Sequence, residues 1–235
     1  TISNKGYRGS TFLSGQQGKL TYSANLMVSK GKADGTETEM RRTSSDGSRM
    51  DYWQRGNTNF NFTMGNISLG YELDSMSNIG ATFGLTGHTM KTDGHPTTTF
   101  SGGSYGTGFT YGNQMTMENK STSFNGSVDY QRFFNKEHTS SLTLSYLFTT
   151  SPAESNNRRT YDALPAGVTI PLSDLYSTAK TRGTEHTVQV DFTTPLGKGQ
   201  TLSTGLKFIS HRNSSDSKFY DITSGTEVYN AANSV

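Results

Sequence analysis

Apolar and polar residues alternate along this chain with a period of two, and the alternation stops and restarts at short turns. A strand points successive side chains to opposite faces, so such a run has one apolar and one polar face. In NISLGYEL, Ile67, Leu69, Tyr71 and Leu73 fall on one side, and Asn66, Ser68, Gly70 and Glu72 on the other. NIGATFGL repeats the pattern with Ile79, Ala81, Phe83 and Leu85 against Gly80, Thr82 and Gly84; only DSMSN separates the two runs, which predicts a β-hairpin.

The unit recurs. FNGSVDYQRF and SLTLSYLF place Phe124, Val128 and Tyr130, then Leu142, Leu144, Tyr146 and Phe148, on the apolar side. HTVQVDFTTPLGKGQTLSTGLKF does the same with Val188, Val190 and Phe192, then Leu202, Leu206 and Phe208, around the turn PLGKG. A weaker copy opens the chain: GSTFLS, the turn GQQGK, then Leu20, Tyr22, Ala24, Leu26 and Val28. The tight turns fall near residues 16, 76, 136 and 198, and about eight strands are expected.

Between the hairpins lie polar stretches at 31–55, 88–120 and 152–178, rich in Gly, Ser, Thr and Asn, which read as long loops. Soluble β-sandwiches favour short connections at both ends, whereas outer-membrane barrels pair short turns on one side with long loops on the other. The reading is therefore all-β: an antiparallel up-and-down meander forming part of a transmembrane β-barrel, with residues 1–235 as one barrel segment. Tyr71, Tyr130, Phe133, Phe134, Phe148, Phe192 and Phe208 are candidates for interfacial aromatic girdles, and Asp129, Gln189, Asp191 and Lys207 are expected to face a lumen.

Composition agrees. Only 30% of residues are hydrophobic and the mean hydropathy is −0.65, against roughly 45–50% apolar residues, glycine included, in soluble domains. Disorder is disfavoured by 11% aromatics, 5 prolines and a net charge of +2. Lys and Arg are scattered, which argues against nucleic acid as a partner. Cysteine is absent, which excludes disulfides and thiol catalysis. No apolar run is long enough for a transmembrane helix.

The units GNISLGYELDSMSNIGATFGL, SFNGSVDYQRFFNKEHTSSLTLSYLF and EHTVQVDFTTPLGKGQTLSTGLKFISHRN resemble the outer-membrane β-barrel region of Bacteroidetes-type TonB-dependent receptors, over most of residues 15–215. The resemblance implies a receptor that captures a small nutrient ligand outside and passes it inward when TonB moves a plug domain, with outer-membrane lipid around the wall. No plug pattern is visible, so an internal portion of a larger barrel is expected, beginning after the plug and present here as an incomplete, open sheet. The alternatives are a small complete outer-membrane barrel, a soluble secreted adhesin or carbohydrate-binding module, and an outer-membrane phospholipase or protease.

No residues make a convincing catalytic site, and no cofactor is expected. His88 and His95, with Asp93 between them, have too few ligands for zinc. The neighbours in Glu137–His138 and Glu185–His186 would point to opposite faces of a strand. SGGSYGTGFTYG lacks the lysine of a phosphate loop, and the Asn-x-Ser/Thr sequences at Asn61, Asn66, Asn119, Asn125 and Asn213 are what chance yields in so polar a chain. Tyr52, Trp53, Tyr105, Tyr161 and Tyr176, placed in the long connections, are the candidate ligand contacts, because aromatic faces stack on sugars and other flat ligands.

Overall fold

The computed structural model describes residues 3–168, 170, 172–197 and 199–234. Among them, nine strands form a single antiparallel sheet in chain order. They are β1 (Ser3–Gln17), β2 (Leu20–Thr43), β3 (Arg49–Asp74), β4 (Ser77–Ser101), β5 (Phe109–Phe133), β6 (Ser141–Tyr161), β7 (Leu175–Gly197), β8 (Gln200–Asp221) and the two-residue β9 (Val228–Tyr229). The meander is as expected, with β9 added to the eight long strands. Among the described residues β1 does not pair with β8 or β9, so the sheet is open.

The turns also fall where the sequence places them. Gln17 pairs with Leu20 around Gly18, whose φ of 58° suits glycine. At the β3–β4 turn the Met76 backbone N–H donates to Asp74 at 2.7 Å, and Arg132 from β5 reaches the same carboxylate at 3.0 Å. These contacts, led by the Met76 N–H, hold the Asp74 carboxyl below the usual carboxylate range. Lys198, within the PLGKG turn, lies outside the described residues.

Directly paired residues share a face, so register defines rows across the sheet. One row runs Leu13, Ala24, Ile67, Phe83, Gly126, Phe148, His186, Ser210. Following this face up each strand gives a band of nine positions: 20–28, 63–71, 79–87, 122–130, 142–150 and 184–192. Within it the face carries no Asp, Glu, Lys or Arg, and His186 is the sole ionisable group other than tyrosine. The band slides by one row toward the turns between β5 and β6, the stagger that tilted barrel strands require. Nine residues at about 3.4 Å each, tilted by about 40°, give a height of about 23 Å, close to the apolar band of barrel walls.

Among the described residues no second layer covers this face: Ile67, Phe83, Val128 and Leu144 are 41–55% exposed. The opposite face of the same segments is polar, with Thr21, Ser23, Asn25, Asn66, Ser68, Thr82, Asn125, Ser127 and Asp129. Gln189 and Lys207 join Asp129 on one row of that face, and Gln189 donates to Asp191 at 2.6 Å. The aromatic candidates divide. Tyr71 and Tyr130 share the row nearest the turns, and Phe134 and Phe192 lie together at 6.3 Å. Phe148 and Phe208 sit inside the band, and Phe133 stacks on His138 at 4.2 Å.

The expected long loops are corrected. The stretches 31–55, 88–120 and 152–178 are mostly strand, and only 44–48, 102–108 and 162–174 connect. β3 alone has 26 residues, far beyond the roughly 9–11 that cross a bilayer. Outside FTYGNQM the extensions mostly alternate polar with polar, so they pair through the same ladder without a continuous apolar stripe. At the tip between β2 and β3, Ser48 donates its hydroxyl to Asp46 at 2.6 Å and its N–H at 3.0 Å. These bonds, the hydroxyl's first, hold the Asp46 carboxyl below the usual carboxylate range.

Candidate functional site

Apart from Thr187, the buried strand side chains on the polar face gather beyond the band, where Pro96, Thr98, Asn113 and Met115 are shielded from solvent. Parity explains the grouping. In FTYGNQM, Phe109, Tyr111, Asn113 and Met115 share a face, and register sets Phe109 against Phe100, and Thr98 between Tyr52 and Tyr111. The tip that joins β4 to β5 is tight because Gly102, Gly103, Gly106 and Gly108 all adopt positive φ. That fold lays Tyr105 back on Phe100 at 4.8 Å and on Phe109 at 6.0 Å.

The cluster continues across the sheet. Phe100 lies 5.4 Å from Phe109, and Tyr111 lies 5.9 Å from Tyr161 at the end of β6. The Tyr161 N–H is anchored by Asp174 at 2.7 Å. Arg159, two residues back on the same face, donates to the Tyr161 hydroxyl at 3.4 Å, and its other Nη lies 3.9 Å from the Met115 sulfur. Tyr52 donates to Gln54 at 2.5 Å; burial pushes its hydroxyl up, with Arg159 pulling the other way.

Three buried polar atoms here have no hydrogen-bond partner among the described residues: Asn113 Nδ2, Asn157 Oδ1 and Arg159 Nε. Buried polar groups are normally paired. Tyr52, Tyr111 and Tyr161 share the face of these two unmatched donors and one acceptor, and a flat polar group placed there could stack on the rings and pair with the free atoms.

The five predicted contacts separate. Tyr52, Tyr105 and Tyr161 lie on the polar-face side with this cluster, and only Tyr105 is in a connection. Trp53 and Tyr176 face the other way; Tyr176 stacks on Tyr220 at 5.7 Å and donates to Asn156 at 3.4 Å. Phe100, Phe109, Tyr111, Asn113 and Arg159 were not among the predicted contacts, although the alternation of FTYGNQM carried the signal. His88 and His95 lie on opposite faces of β4, and among the described residues no three His, Asp or Glu side chains converge as metal ligands. Glu185 and His186 also diverge, to His211 at 3.3 Å and the Tyr146 hydroxyl at 2.8 Å.

The family model described as an outer membrane protein beta-barrel family matches residues 131–235, the end of β5 onward. Over those residues, just under half of the chain, the sheet is similar to outer-membrane β-barrels. No curated protein matches the chain. Among solved structures, the wall is similar to a crystal structure of the ferric citrate transporter FecA in the unliganded form, at 12% identity and a TM-score of 0.24, over 96% of this chain and 39% of that one. The chain thus spans well under half of that transporter's length.

Proposed function

We propose that these residues are part of the wall of a TonB-dependent receptor in a bacterial outer membrane, serving nutrient uptake. The observation that carries the reading is the charge-free band, nine residues deep on six successive strands and followed outward on the same face by Lys30, Lys91, Lys120, Glu154 and Arg182. Lipid offers backbone groups no hydrogen-bond partners, and a strand-to-strand ladder supplies them all. The resemblance of the hairpins to Bacteroidetes-type receptors supports the uptake role, with a plug domain and TonB as partners. The wall itself performs no catalytic step. The cluster of Tyr52, Tyr105, Tyr111, Tyr161 and Arg159 is where a small nutrient first meets fixed side chains.

Detergent dependence tests the membrane reading. The protein is expected to fold only in micelles or bilayers. A monodisperse, folded monomer in plain buffer would show that Leu69, Leu144 and Phe192 do not face lipid. For the ligand site, Tyr161→Ala and Arg159→Gln are expected to cut uptake severalfold at unchanged abundance in the membrane. Unchanged uptake in both would remove the cluster from the pathway.

A further inference from the structure

Beyond the band, the charges on its face are arranged unevenly. On β2, β5 and β6 the next charged residues outward are Lys30, Lys120 and Glu154, with Lys180 and Asp216 on the same row as Lys120 and Glu154. Arg182 and Arg212 lie closer in: Arg212 pairs with Thr184, the last band position of β7, and Arg182 with Ser214 one row further. They line a 490 Å³ recess with Thr184, His186, Ser210 and Ser214, and no carboxylate borders it.

Among the described residues neither guanidinium makes an ion pair or a side-chain hydrogen bond. By contrast, Asp216 holds Lys218 at 3.4 Å and Glu118 holds Lys120 at 3.2 Å. Directly inward lie Phe148, its ring 5.1 Å from His186, then Val188 and the exposed Phe208. Two unpaired arginines thus stand at the edge of an apolar surface.

We infer that this recess is a binding site for an anionic, phosphate-bearing membrane lipid. Guanidinium matches phosphate oxygens in bidentate fashion, Thr184, Ser210 and Ser214 add hydroxyls, and the acyl chains run inward over Phe148, Val188 and Phe208. Free phosphate would use only the first half of this surface. The inference rests on the membrane reading, since the depth of the recess is measured from the apolar band.

The test reconstitutes the protein into phosphatidylcholine vesicles with and without phosphatidylglycerol and counts retained lipid by native mass spectrometry. Selective retention of phosphatidylglycerol is expected. At about 1 kcal/mol per arginine near the surface, R182Q/R212Q lowers it about 30-fold, whereas R41Q/R42Q, which removes equal charge at the far end of β2, leaves it within about twofold. An equal loss in both double variants would reduce the effect to net charge and overturn the site. If R182Q/R212Q does not insert, R182K/R212K keeps the charge without the bidentate fork, and retention at the original level there overturns the proposal as well. Displacement of the lipid by inorganic phosphate would mark a plain anion site. Failure of the unaltered protein to enter any vesicle would refute the membrane reading instead.

Discussion

Replacing Ile67 and Leu20 by arginine, one at a time, separates a wall in lipid from a sheet in water. Both residues lie on the apolar face, Ile67 on the central row of the band and Leu20 on the row nearest the turns. Ile67 is 49% exposed and Leu20 37%. In a bilayer, arginine costs about 2–4 kcal/mol at the midplane and about 0–1 near the interface. Ile67→Arg should therefore exceed Leu20→Arg by about 2–3 kcal/mol, a factor of roughly 30–150 in the folding equilibrium. In water the order reverses, because the less exposed Leu20 loses more contact with its neighbours. Ser68→Arg, next to Ile67 but on the polar face, should cost less than about 1 kcal/mol. Urea titration in phosphatidylcholine vesicles, read through Trp53, the single tryptophan, measures all three. A Leu20→Arg cost equal to or above that of Ile67→Arg refutes the bilayer argument.

Two further outcomes follow from local geometry. A Cβ on Gly56 would meet the Asp93 backbone oxygen at 2.6 Å, and one on Gly84 would meet the Asn125 amide oxygen at 2.3 Å. Backbone cannot give way as a side chain can, so Gly56→Ala should cost about 1–3 kcal/mol and Gly84→Ala under about 1 kcal/mol, measured by the same titration. Asp46 and Asp74, outside the band, have folded-state carboxyls below their unfolded value. Their contribution is therefore present above about pH 3.9 and is lost as pH falls from there through the depressed folded values. Asp46→Asn with Asp74→Asn should flatten the acid limb of a pH series of urea midpoints, and an unchanged limb contradicts the assignment.

The sequence was legible where the two faces of a strand meet different surroundings. Ile67, Leu69 and Tyr71 against Asn66, Ser68 and Gly70 can be read at once, because one solvent is apolar and the other is water. It went unread where both faces meet water. Thr36 to Thr43 and Thr89 to Phe100 are ladder residues, yet their side chains show no contrast to mark a period. The candidate site suffered from the same blindness. Tyr52 and Tyr161 look like loop residues until the ladder assigns them a face, and only then do Tyr111 and Arg159 join them while Trp53 and Tyr176 are turned away. The unmatched Asn113 Nδ2 and Arg159 Nε have no sequence signature, since burial there depends on four strands at once.

The strand extensions have a consequence for anything that approaches from the side away from the turns. A protease needs a stretch of backbone free to enter its cleft, and hydrogen-bonded ladder does not provide one. Among the described residues, the backbone outside the ladder at that end is confined to 44–48, 102–108, the connection after β6 and the short segments on either side of β9, the first pinned by Asp46 and the second by its glycines. In the membrane wall proposed above, an approaching protein would therefore find a stiff palisade with a few small handles, and variation at those handles would change the presented surface without disturbing the wall.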